Sequence, residues 1–413
     1  MLESGKPELL VPASSLEVLK VAVVYGADAV YIGGEMYGLR AKAKNFSMEE
    51  MREGVVFAHA RGKRVFVTAN ITAHNRDLSG IREYFAELAE QVKPDALIIS
   101  DPGVFAIARE VCPEMEIHIS TQANNVNYQT YLFWKQLGAK RVVSARELSI
   151  EEIADIRKHI PEDLEIESFV HGAMCISHSG RCLLSNYFTG RDANLGACTH
   201  PCRWKYYVME ESRPGEYLPV EENERGTYIF NSKDLCMIEH IPELFGAGID
   251  SFKIEGRMKT ALYVAAVART YRQAIDDYVK SPELYASRIP YYQEEISKCT
   301  YRQFTTGFFF GATTHESQIY DSNTYIRRYT YLGLVKDVDA QGYAGMEQRN
   351  KFQVGDMVEI MKPSGENIPA KVLQMWDEKG EPIQSCPHPK QKIRVDFGIP
   401  VDVLDLIRVQ EEE

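Results

Sequence analysis

Several features that would assign a chain to a class at once are missing from this sequence. No stretch approaches the roughly 18 uninterrupted apolar residues that a membrane-spanning helix needs. The opening segment MLESGKPELLVPASS has no basic region followed by an apolar run and no cleavage-like site. Basic residues are not in excess either, because the net charge at pH 7 is −12. We therefore expect a soluble, cytoplasmic protein without membrane contact, in which any nucleic-acid contact uses a local basic groove.

Common hydrolytic motifs are also absent. The sequence contains no G-x-S-x-G elbow, no H-E-x-x-H pair and no phosphate-binding loop of the form G-x4-G-K-[ST]. What is present is an ordinary globular composition, with 45% hydrophobic and 26% charged residues over 413 positions. A chain of this length has room for two or three domains with full cores. Its chemistry has to be inferred from less common features.

The most informative of these is a group of cysteines. Of the 8 cysteines in the chain, four fall between positions 175 and 202, where an even distribution would place about half a cysteine. In a reducing compartment, clustered thiols indicate a metal or redox site rather than structural disulfides. We take these four as metal ligands, with Cys236 as a substitute for the last of them. The four are Cys175, Cys182, Cys198 and Cys202.

The spacing of the cysteines does not decide which metal they bind. A cluster of four iron and four sulfide ions accepts variable spacings, provided that four thiolates can converge on it. Zinc is the main alternative, held by four cysteines or by three and one of His171, His178 and His200. Only Cys198 and Cys202 have the close spacing of a zinc knuckle, which favours iron-sulfur. A cysteine nucleophile paired with His171 is a third reading, which would leave the neighbouring thiols unexplained.

The first 280 residues repeat a short β-branched run followed by an amphipathic stretch with helical periodicity. This alternation is typical of βα units in a parallel sheet. Eight strands and eight helices favour a closed (β/α)8 TIM-like barrel over an open doubly wound sheet, in which five to seven strands are usual. The predicted strands are Glu8–Ala13, Ala29–Gly34, Arg64–Ile71, Ala96–Asp101, Glu116–Gln122, Arg141–Ser144, Glu165–Gly172 and Asp250–Gly256.

The domain organisation follows from these patterns. Residues 1–280 form the predicted barrel, interrupted after the seventh strand by an insertion over 173–249 that contains the cysteines. Residues 281–329 are aromatic and charged and are expected to be a linker or arm. From residue 330 to 413, short strands alternate with Gly, Pro and Asn turn signals, which predicts a small antiparallel β-barrel domain.

In such a barrel the working end is the carboxyl end of the strands, so polar residues there are the candidate site. Lys253 and Glu255 alternate along strand eight and are expected to form an ion pair. Arg40, Arg146 and Arg257 are expected to clamp a small carboxylate. The candidates for catalysis are Arg146, His171, Lys253 and Glu255; those for substrate binding are Arg40, Asn70, Gln122 and Arg257. Asp101 and Thr121 also lie at strand ends, where a cap or a loop hydrogen bond is an equally good explanation.

One segment is recognisable as a family signature. Between Glu167 and Ser185 the chain reads E-x-F-x2-G-A-M-C-x4-G-x-C-x-L-S, and the segments GADAVYIGG, LGACTHPCRW and SFKIEGRMKT lie on either side of it. This pattern resembles the peptidase U32, or collagenase-like, family over the whole barrel. The C-terminal region from about Thr330 resembles the β domain that many members carry.

The resemblance implies a function that the residues alone do not suggest. The better understood bacterial members hydroxylate RNA, and this chain is most similar to the branch that makes 5-hydroxyuridine at the tRNA wobble position with prephenate as co-substrate. It implies a four-iron four-sulfur cluster on Cys175, Cys182, Cys198 and Cys202, tRNA as partner and a second family subunit as a further partner. The alternatives are a collagenase-like peptidase and a zinc-stapled RNA-binding or assembly protein without catalysis.

Overall fold

Eight parallel strands close into a barrel in the computed structural model of the chain. The structure describes residues 5–35, 45–175, 182–191, 198–203, 232–311 and 326–411, and four two-residue strands between 208 and 227. The barrel strands are β1 (Glu8–Pro12), β2 (Ala29–Gly33), β3 (Arg64–Ala69), β4 (Ala96–Ile99), β5 (Glu116–Ile119), β6 (Arg141–Val143), β7 (Glu165–Ala173) and β13 (Ser251–Ile254). Because β13 pairs with both β7 and β1, the sheet closes, which confirms the predicted TIM-like barrel.

Helices between the strands cover the outside of the barrel. Their starts follow the capping chemistry expected from the sequence: Ser15 caps the first helix, and Ser47 with Glu50 forms a complete capping box on the second. The helices are α1 (Leu16–Val24), α2 (Met48–His59), α3 (Ile81–Glu87), α4 (Pro102–Val111), α5 (Tyr128–Gln136), α6 (Ile150–His159), α8 (Ile241–Gly246) and α9 (Ala261–Lys280). Among the helices in the described part of the chain, none combines the length and the apolar character that crossing a membrane requires.

The interior of the barrel contains a layer of charges at the amino-terminal ends of the strands. Glu8, Arg141 and Ser251 are each the first residue of their strand. Arg141 Nη1 donates to Glu8 Oε1 at 2.6 Å and to Glu167 Oε2 at 2.9 Å, and the Ser251 hydroxyl donates to both carboxylates. Burial by itself would raise the pKa of Glu8, but the positive charges of Arg141 and Arg64 have the larger effect and lower it to about 2. The acidic and basic side chains of this layer are therefore ionised and paired with each other, because an unpaired buried charge would be strongly destabilising.

An apolar layer lies next to these charges and separates them from the carboxyl ends of the strands. It is a buried cluster of inward-facing side chains from the first four strands. Alternate residues of each strand point inward, so the barrel is filled by layers rather than hollow. The members are Leu10, Ala29, Tyr31, Phe66, Ala96 and Ile98.

Two further strands extend the barrel sheet, one from the insertion after β7 and one from the 281–329 segment. Strand β12 (Asp234–Cys236) pairs antiparallel with the end of β7, and β14 (Phe304–Thr305) pairs parallel with β12. The insertion also contains the short helix α7 (Leu184–Thr189) and two small hairpins, formed by β8 (Val208–Met209) with β9 (Tyr217–Leu218) and by β10 (Glu222–Asn223) with β11 (Gly226–Thr227). The sequence did not predict β12 or β14, because strands of two or three residues carry too few positions for a period to be read.

The predicted linker over 281–329 begins with a helix that the sequence analysis missed. Helix α10 (Pro282–Ser297) starts at Ser281, whose side chain accepts from the backbone of Leu284, and it packs along α9. Its helical periodicity is hard to recognise in the sequence, because Pro290 interrupts the run of five tyrosine and isoleucine positions inside the helix. The linker is therefore partly a structural layer of the barrel domain.

Seven antiparallel strands form the C-terminal domain. They are β15 (Tyr329–Val338), β16 (Ala344–Glu347), β17 (Met357–Met361), β18 (Ile368–Lys371), β19 (Gln374–Trp376), β20 (Lys392–Asp396) and β21 (Leu406–Gln410). Their order is β18-β17-β21-β15-β16-β20-β19, so the sheet curls into a half-barrel around its own apolar core. The predicted antiparallel architecture is confirmed, in the form of a half-barrel.

Buried charges join this domain to the barrel domain. Glu295 on α10 accepts from Arg269 on α9 at 2.6 Å and from Asn367 at 2.9 Å, and Arg408 on β21 lies 3.4 Å from the same carboxylate. Burial opposes the charge of Glu295, but Lys298 and Arg408 outweigh it and lower its pKa to about 2. The two domains therefore share one buried ionic contact.

Replacing Glu295 by Gln is expected to lower the free energy of unfolding by about 3–5 kcal/mol, because buried Arg269 would lose its carboxylate partner and Arg408 would keep only Glu359. The carboxyl titrates near its ordinary 4.5 in the unfolded chain and near 2 in the folded one. The deficit of the variant should therefore be constant above about pH 4.5 and shrink as the pH falls toward 2. Denaturant unfolding over this pH range measures it.

The matched control is Glu294→Gln, which removes an exposed carboxylate from the neighbouring position. It should unfold like the parent chain. Equal stabilities of the Glu295 and Glu294 variants at pH 7 would contradict the role of Glu295 in the domain interface.

Candidate functional site

The carboxyl ends of the barrel strands surround a polar mouth. Arg257, just past β13, donates from Nη1 to Thr68 Oγ1 on β3 at 2.9 Å, so its side chain reaches across the barrel opening. A Cβ atom on Gly33 would lie 2.7 Å from that nitrogen. Glycine at position 33 thus leaves the space that the guanidinium occupies. The barrel presents a cation at its mouth, held by two strands far apart in sequence.

Arg146 contributes a second guanidinium to this mouth. Its Nη2 lies 3.1 Å from Glu255 Oε2, and its Nη1 donates to the carbonyl oxygen of Ala173 at 3.2 Å. The guanidinium carbon lies 4.1 Å from the centre of the Phe169 ring. Glu255 precedes Arg257 by two residues, so both arginines belong to the same rim. Arg146 also contacts the end of β7, where the cysteine-bearing insertion begins.

An amide and hydroxyl cluster forms another part of the mouth. The hydroxyl oxygen of Ser120 accepts from Asn70 Nδ2 at 3.3 Å and from the backbone N–H of Gln122 at 3.4 Å. Ser100 donates to the carbonyl oxygen of Asn70 at 2.9 Å. Asn70 and Gln122 are 8% and 6% exposed, so their polar atoms are largely removed from water. The sequence prediction brought these two residues to one site, and the structure does the same.

The expected ion pair between Lys253 and Glu255 is wrong. Lys253 Nζ lies 2.6 Å from Glu167 Oε1 instead, and Glu255 pairs with Arg146. Residues 253 and 255 do alternate with Ile254, but Lys253 pairs with Glu167 on β7 and Glu255 pairs with Arg146 in the segment after β6, because side chains of different βα units meet inside a barrel. Lys253 also lies over the rings of Tyr31 and Phe169. It connects the mouth with the charged layer below.

His171 occupies a different environment from the other predicted catalytic residues. Its ring lies among aromatic rings, 5.5 Å from Tyr271 and 6.0 Å from Tyr263 on α9, and Nδ1 lies 3.4 Å from the Tyr271 hydroxyl. Burial lowers the pKa of His171 to about 3, so the ring is neutral at physiological pH. The described ring contacts of His171 are with Tyr263 and Tyr271 on α9 and with Phe304, whereas its carbonyl oxygen accepts from the backbone N–H of Glu255 at 2.8 Å.

The remaining strand-end candidates divide into structural and undescribed ones. Asp101 caps α4 by accepting from the backbone of Gly103 and Val104. Thr121 donates to the carbonyl oxygen of Ser144 at 2.9 Å. Arg40, the third member of the predicted carboxylate clamp, lies outside the described residues. The structure therefore brings two of the three clamp arginines to one rim.

The predicted metal ligands lie on the insertion at the same end of the barrel. Cys175 is two residues past β7 and is exposed, and Cys182 is two residues before α7. Ser185 on α7 is buried and accepts from the backbone N–H of Thr199 at 3.0 Å. This bond holds the segment from Cys198 to Cys202 against the helix that follows Cys182.

Cys236, the substitute ligand, lies on β12 opposite His171. Its sulfur is 3.9 Å from the Tyr271 hydroxyl, and burial raises the pKa of the thiol to about 12. In this conformation Cys236 is a protonated thiol packed against the barrel.

The donor chemistry of the insertion suits an iron-sulfur cluster or zinc, since both are bound by thiolates. The positions do not form a finished site: within the described residues, no three His, Cys, Asp or Glu side chains come close enough together to hold one metal ion. His178, one possible zinc ligand, lies outside those residues. The metal centre stays a prediction.

Three residues of the mouth were not singled out in the sequence, although a signal for two of them was present. Thr68 precedes Asn70 by two positions in the predicted third strand, and Ser120 precedes Gln122 by two in the predicted fifth strand, so alternation would place each beside a predicted residue. In the structure β5 ends at Ile119, and Gln122 lies in the 3-10 turn that Ser120 caps. Gly33 ends a strand with a second glycine after it. Alternation along the strand would have identified the first two; the need for glycine at 33 comes only from Arg257.

A TIM-like barrel with a polar mouth and a cysteine-rich insertion after its seventh strand, followed by a β half-barrel, defines the structural class. Comparison with known proteins then assigns the family. Residues 14–319 match the model of peptidase family U32, and residues 327–408 match the model of the peptidase family U32 C-terminal domain. The chain belongs to the peptidase U32 family, as its sequence motif predicted.

Similar proteins cover almost the whole chain. tRNA hydroxylation protein P1 of Bacillus subtilis (strain 168) is 43% identical over 390 residues, which are 94% of this chain and 91% of that protein. tRNA hydroxylation protein P of Escherichia coli (strain K12) is 40% identical, with 92% of each chain covered. A solved U32 peptidase is 16% identical with a TM-score of 0.40 and covers 62% of this chain and 96% of its own.

Replacing Lys253 by Met is expected to destabilise the barrel by about 3–5 kcal/mol, because Glu167 would lose one of its two cationic partners in a buried site. Chemical denaturation of the full chain measures the effect. Lys280→Met, at the exposed end of α9, is the control and should leave the stability unchanged. A Lys253 variant that unfolds like the parent chain would contradict the structural role of this pair and favour the purely catalytic one.

Proposed function

We propose that this protein is a tRNA-hydroxylating enzyme that converts the wobble uridine to 5-hydroxyuridine in a prephenate-dependent reaction. The observation that carries the proposal is the similarity, over more than 90% of both chains, to two proteins named tRNA hydroxylation proteins. Replacement of the C5 hydrogen by a hydroxyl group oxidises the base by two electrons, so the reaction needs an oxygen donor that accepts these electrons. In the proposal prephenate, which has two carboxylates, is the co-substrate that binds beside the base.

The polar mouth supports a dianionic co-substrate. Arg146 and Arg257 present guanidinium groups on one rim, and a guanidinium matches a carboxylate with two parallel hydrogen bonds. Glu255 orients Arg146, and Gly33 leaves room for Arg257. In the proposal these arginines bind and orient the co-substrate, while the apolar layer beneath them excludes water.

We also propose that the insertion holds a four-iron four-sulfur cluster. Cys175, Cys182 and Cys198 would be three ligands, and either Cys202 or Cys236 the fourth. When bound, such a cluster supplies electron transfer or an open iron that orients an oxygen donor. The supporting observations are the thiol chemistry of the segment and its location beside Arg146. The ligands would have to move together on binding, as is common when a metal site is completed only by the metal.

Anaerobic purification of the full chain is expected to give a brown protein with about four iron and four sulfide ions per chain. Cys175→Ala should lose most of the iron, whereas Cys112→Ala, a buried cysteine at the end of α4, should keep it. Comparison of Cys202→Ala with Cys236→Ala identifies the fourth ligand. A colourless protein with one zinc ion per chain would refute the cluster and favour the zinc-stapled alternative.

The activity is tested with the holoprotein, tRNA and prephenate, followed by mass spectrometry of the nucleosides. Arg146→Ala and Arg257→Ala are expected to raise the KM for prephenate about 10- to 100-fold through loss of a charge-assisted hydrogen bond. Arg52→Ala, on the exposed face of α2, is the control. An unchanged prephenate dependence would remove that arginine from the binding site. Cleavage of gelatin without tRNA hydroxylation would favour the peptidase alternative.

A further inference from the structure

We propose that Asn70 and Gln122 read the hydrogen-bonding edge of the base that is to be hydroxylated and select a uracil over a cytosine. The inference rests on the proposed function, since it assigns the base-recognition residues of the same mouth. It starts from two polar groups that the fold buries and leaves unmatched.

Both amides are built into the barrel. Asn70 follows β3 and Gln122 follows β5, and each is more than nine-tenths buried. Ser120 accepts from the side chain of Asn70 and from the backbone of Gln122, which holds the two residues together. Ser100 fixes the backbone of Asn70 from the strand between them. The positions of the amides are therefore set by three neighbouring strands.

Each of these amides has a free hydrogen-bonding atom. In the part of the chain that the structure describes, Asn70 Oδ1 and Gln122 Oε1 have no hydrogen-bond partner, and neither does Arg146 Nε. Rotating the Asn70 amide would not remove the mismatch, because Ser120 contacts only one end of it and the other end would then be unmatched. A buried polar atom without a partner costs about 1–3 kcal/mol. Its retention at the carboxyl ends of barrel strands, where ligands bind, points to a ligand that supplies the missing partner.

The chemistry of the unmatched atoms selects the ligand. Two amide oxygens need hydrogen-bond donors, which the carboxylates of an acidic co-substrate do not have at neutral pH. A uracil has an N3–H donor between two carbonyl acceptors, so its edge offers a donor to an amide oxygen and acceptors to an amide or guanidinium N–H. A cytosine has the reverse order at this edge, with an unprotonated N3 acceptor beside an N4 amino donor. An amide oxygen that faces N3 accepts from uracil but meets a second acceptor in cytosine, so the proposal places one of the two amide oxygens against N3.

Access to these buried amides requires the base to leave its stack. A base in a single-stranded loop is recognised by splaying it out and bonding its pairing edge, and enzymes that modify a base place it in a pocket in this way. The two functions of the mouth then use different groups: amides for the base, and the arginines Arg146 and Arg257 for the carboxylates.

The test uses the full-length holoprotein and two anticodon stem-loop RNAs that differ only in uridine or cytidine at the target position. We expect Asn70→Ala and Gln122→Ala to lower kcat/KM for the uridine RNA about 10- to 100-fold, because each removes a hydrogen bond to a buried polar group. The value for the cytidine RNA should change little, so the preference for uridine falls. Gln136→Ala, an exposed amide at the end of α5, is the control and should keep the preference of the parent.

Binding of the same RNAs, measured by fluorescence anisotropy, separates this inference from the proposed activity. In one outcome, the parent hydroxylates neither RNA and still binds the uridine loop more tightly than the cytidine loop. If both variants then lose this binding preference, the activity proposal fails and the proposed base recognition is supported. Equal losses for uridine and cytidine, or no loss in either variant, would overturn the base reading. Asn70→Leu and Gln122→Met keep approximately the side-chain size and remove the amide, so they replace the alanine variants if thermal melting shows that those do not fold.

Discussion

The carboxylate of Glu167 connects the two ends of the barrel interior. One oxygen accepts from Arg141 in the charged lower layer, and the other from Lys253, which lies between Tyr31 and Phe169 beneath the mouth. Glu167 and Arg141 are almost fully buried, so each needs partners of opposite charge. Because the partners come from β6, β7 and β13, the charges also join the strands at which the barrel closes.

This arrangement separates stability from function along the barrel axis. The charges at the amino-terminal end are matched with one another, and Arg141 has three carboxylates around it. At the carboxyl end, Arg257 donates to the Thr68 hydroxyl, and the amide oxygen of Asn70 has no hydrogen-bond partner among the described residues. The buried ions are thus paired at the amino-terminal end of the barrel, and hydrogen-bonding groups remain available at the carboxyl end. The paired ions give a rigid support for a site that a ligand completes.

The insertion and the C-terminal domain are attached to this base in different ways. The insertion is joined through β12 to the end of β7 and through Arg146 to the carbonyl oxygen of Ala173, so the cysteine segment begins at the rim of the mouth. The half-barrel is joined to α9 and α10 through Glu295, on the side of the barrel formed by its last helices. A metal or cluster held by the cysteines would therefore lie next to the arginines of the mouth. The C-terminal domain, by contrast, contacts the outer helices of the barrel.

The amino-acid pattern by itself determined the eight strands, the caps at Ser15 and Ser47, the family and the end of the barrel at which the cysteines lie, because strand period and capping are local properties of the chain. It also indicated Asn70, Gln122, Arg146 and Arg257 as residues of one rim. Only the tertiary structure decided that Lys253 pairs with Glu167, that Arg257 reaches Thr68 over Gly33, and that His171 is buried among tyrosines. Alternation tells which face of a strand a side chain occupies, whereas its partner across a closed barrel depends on which strands meet there.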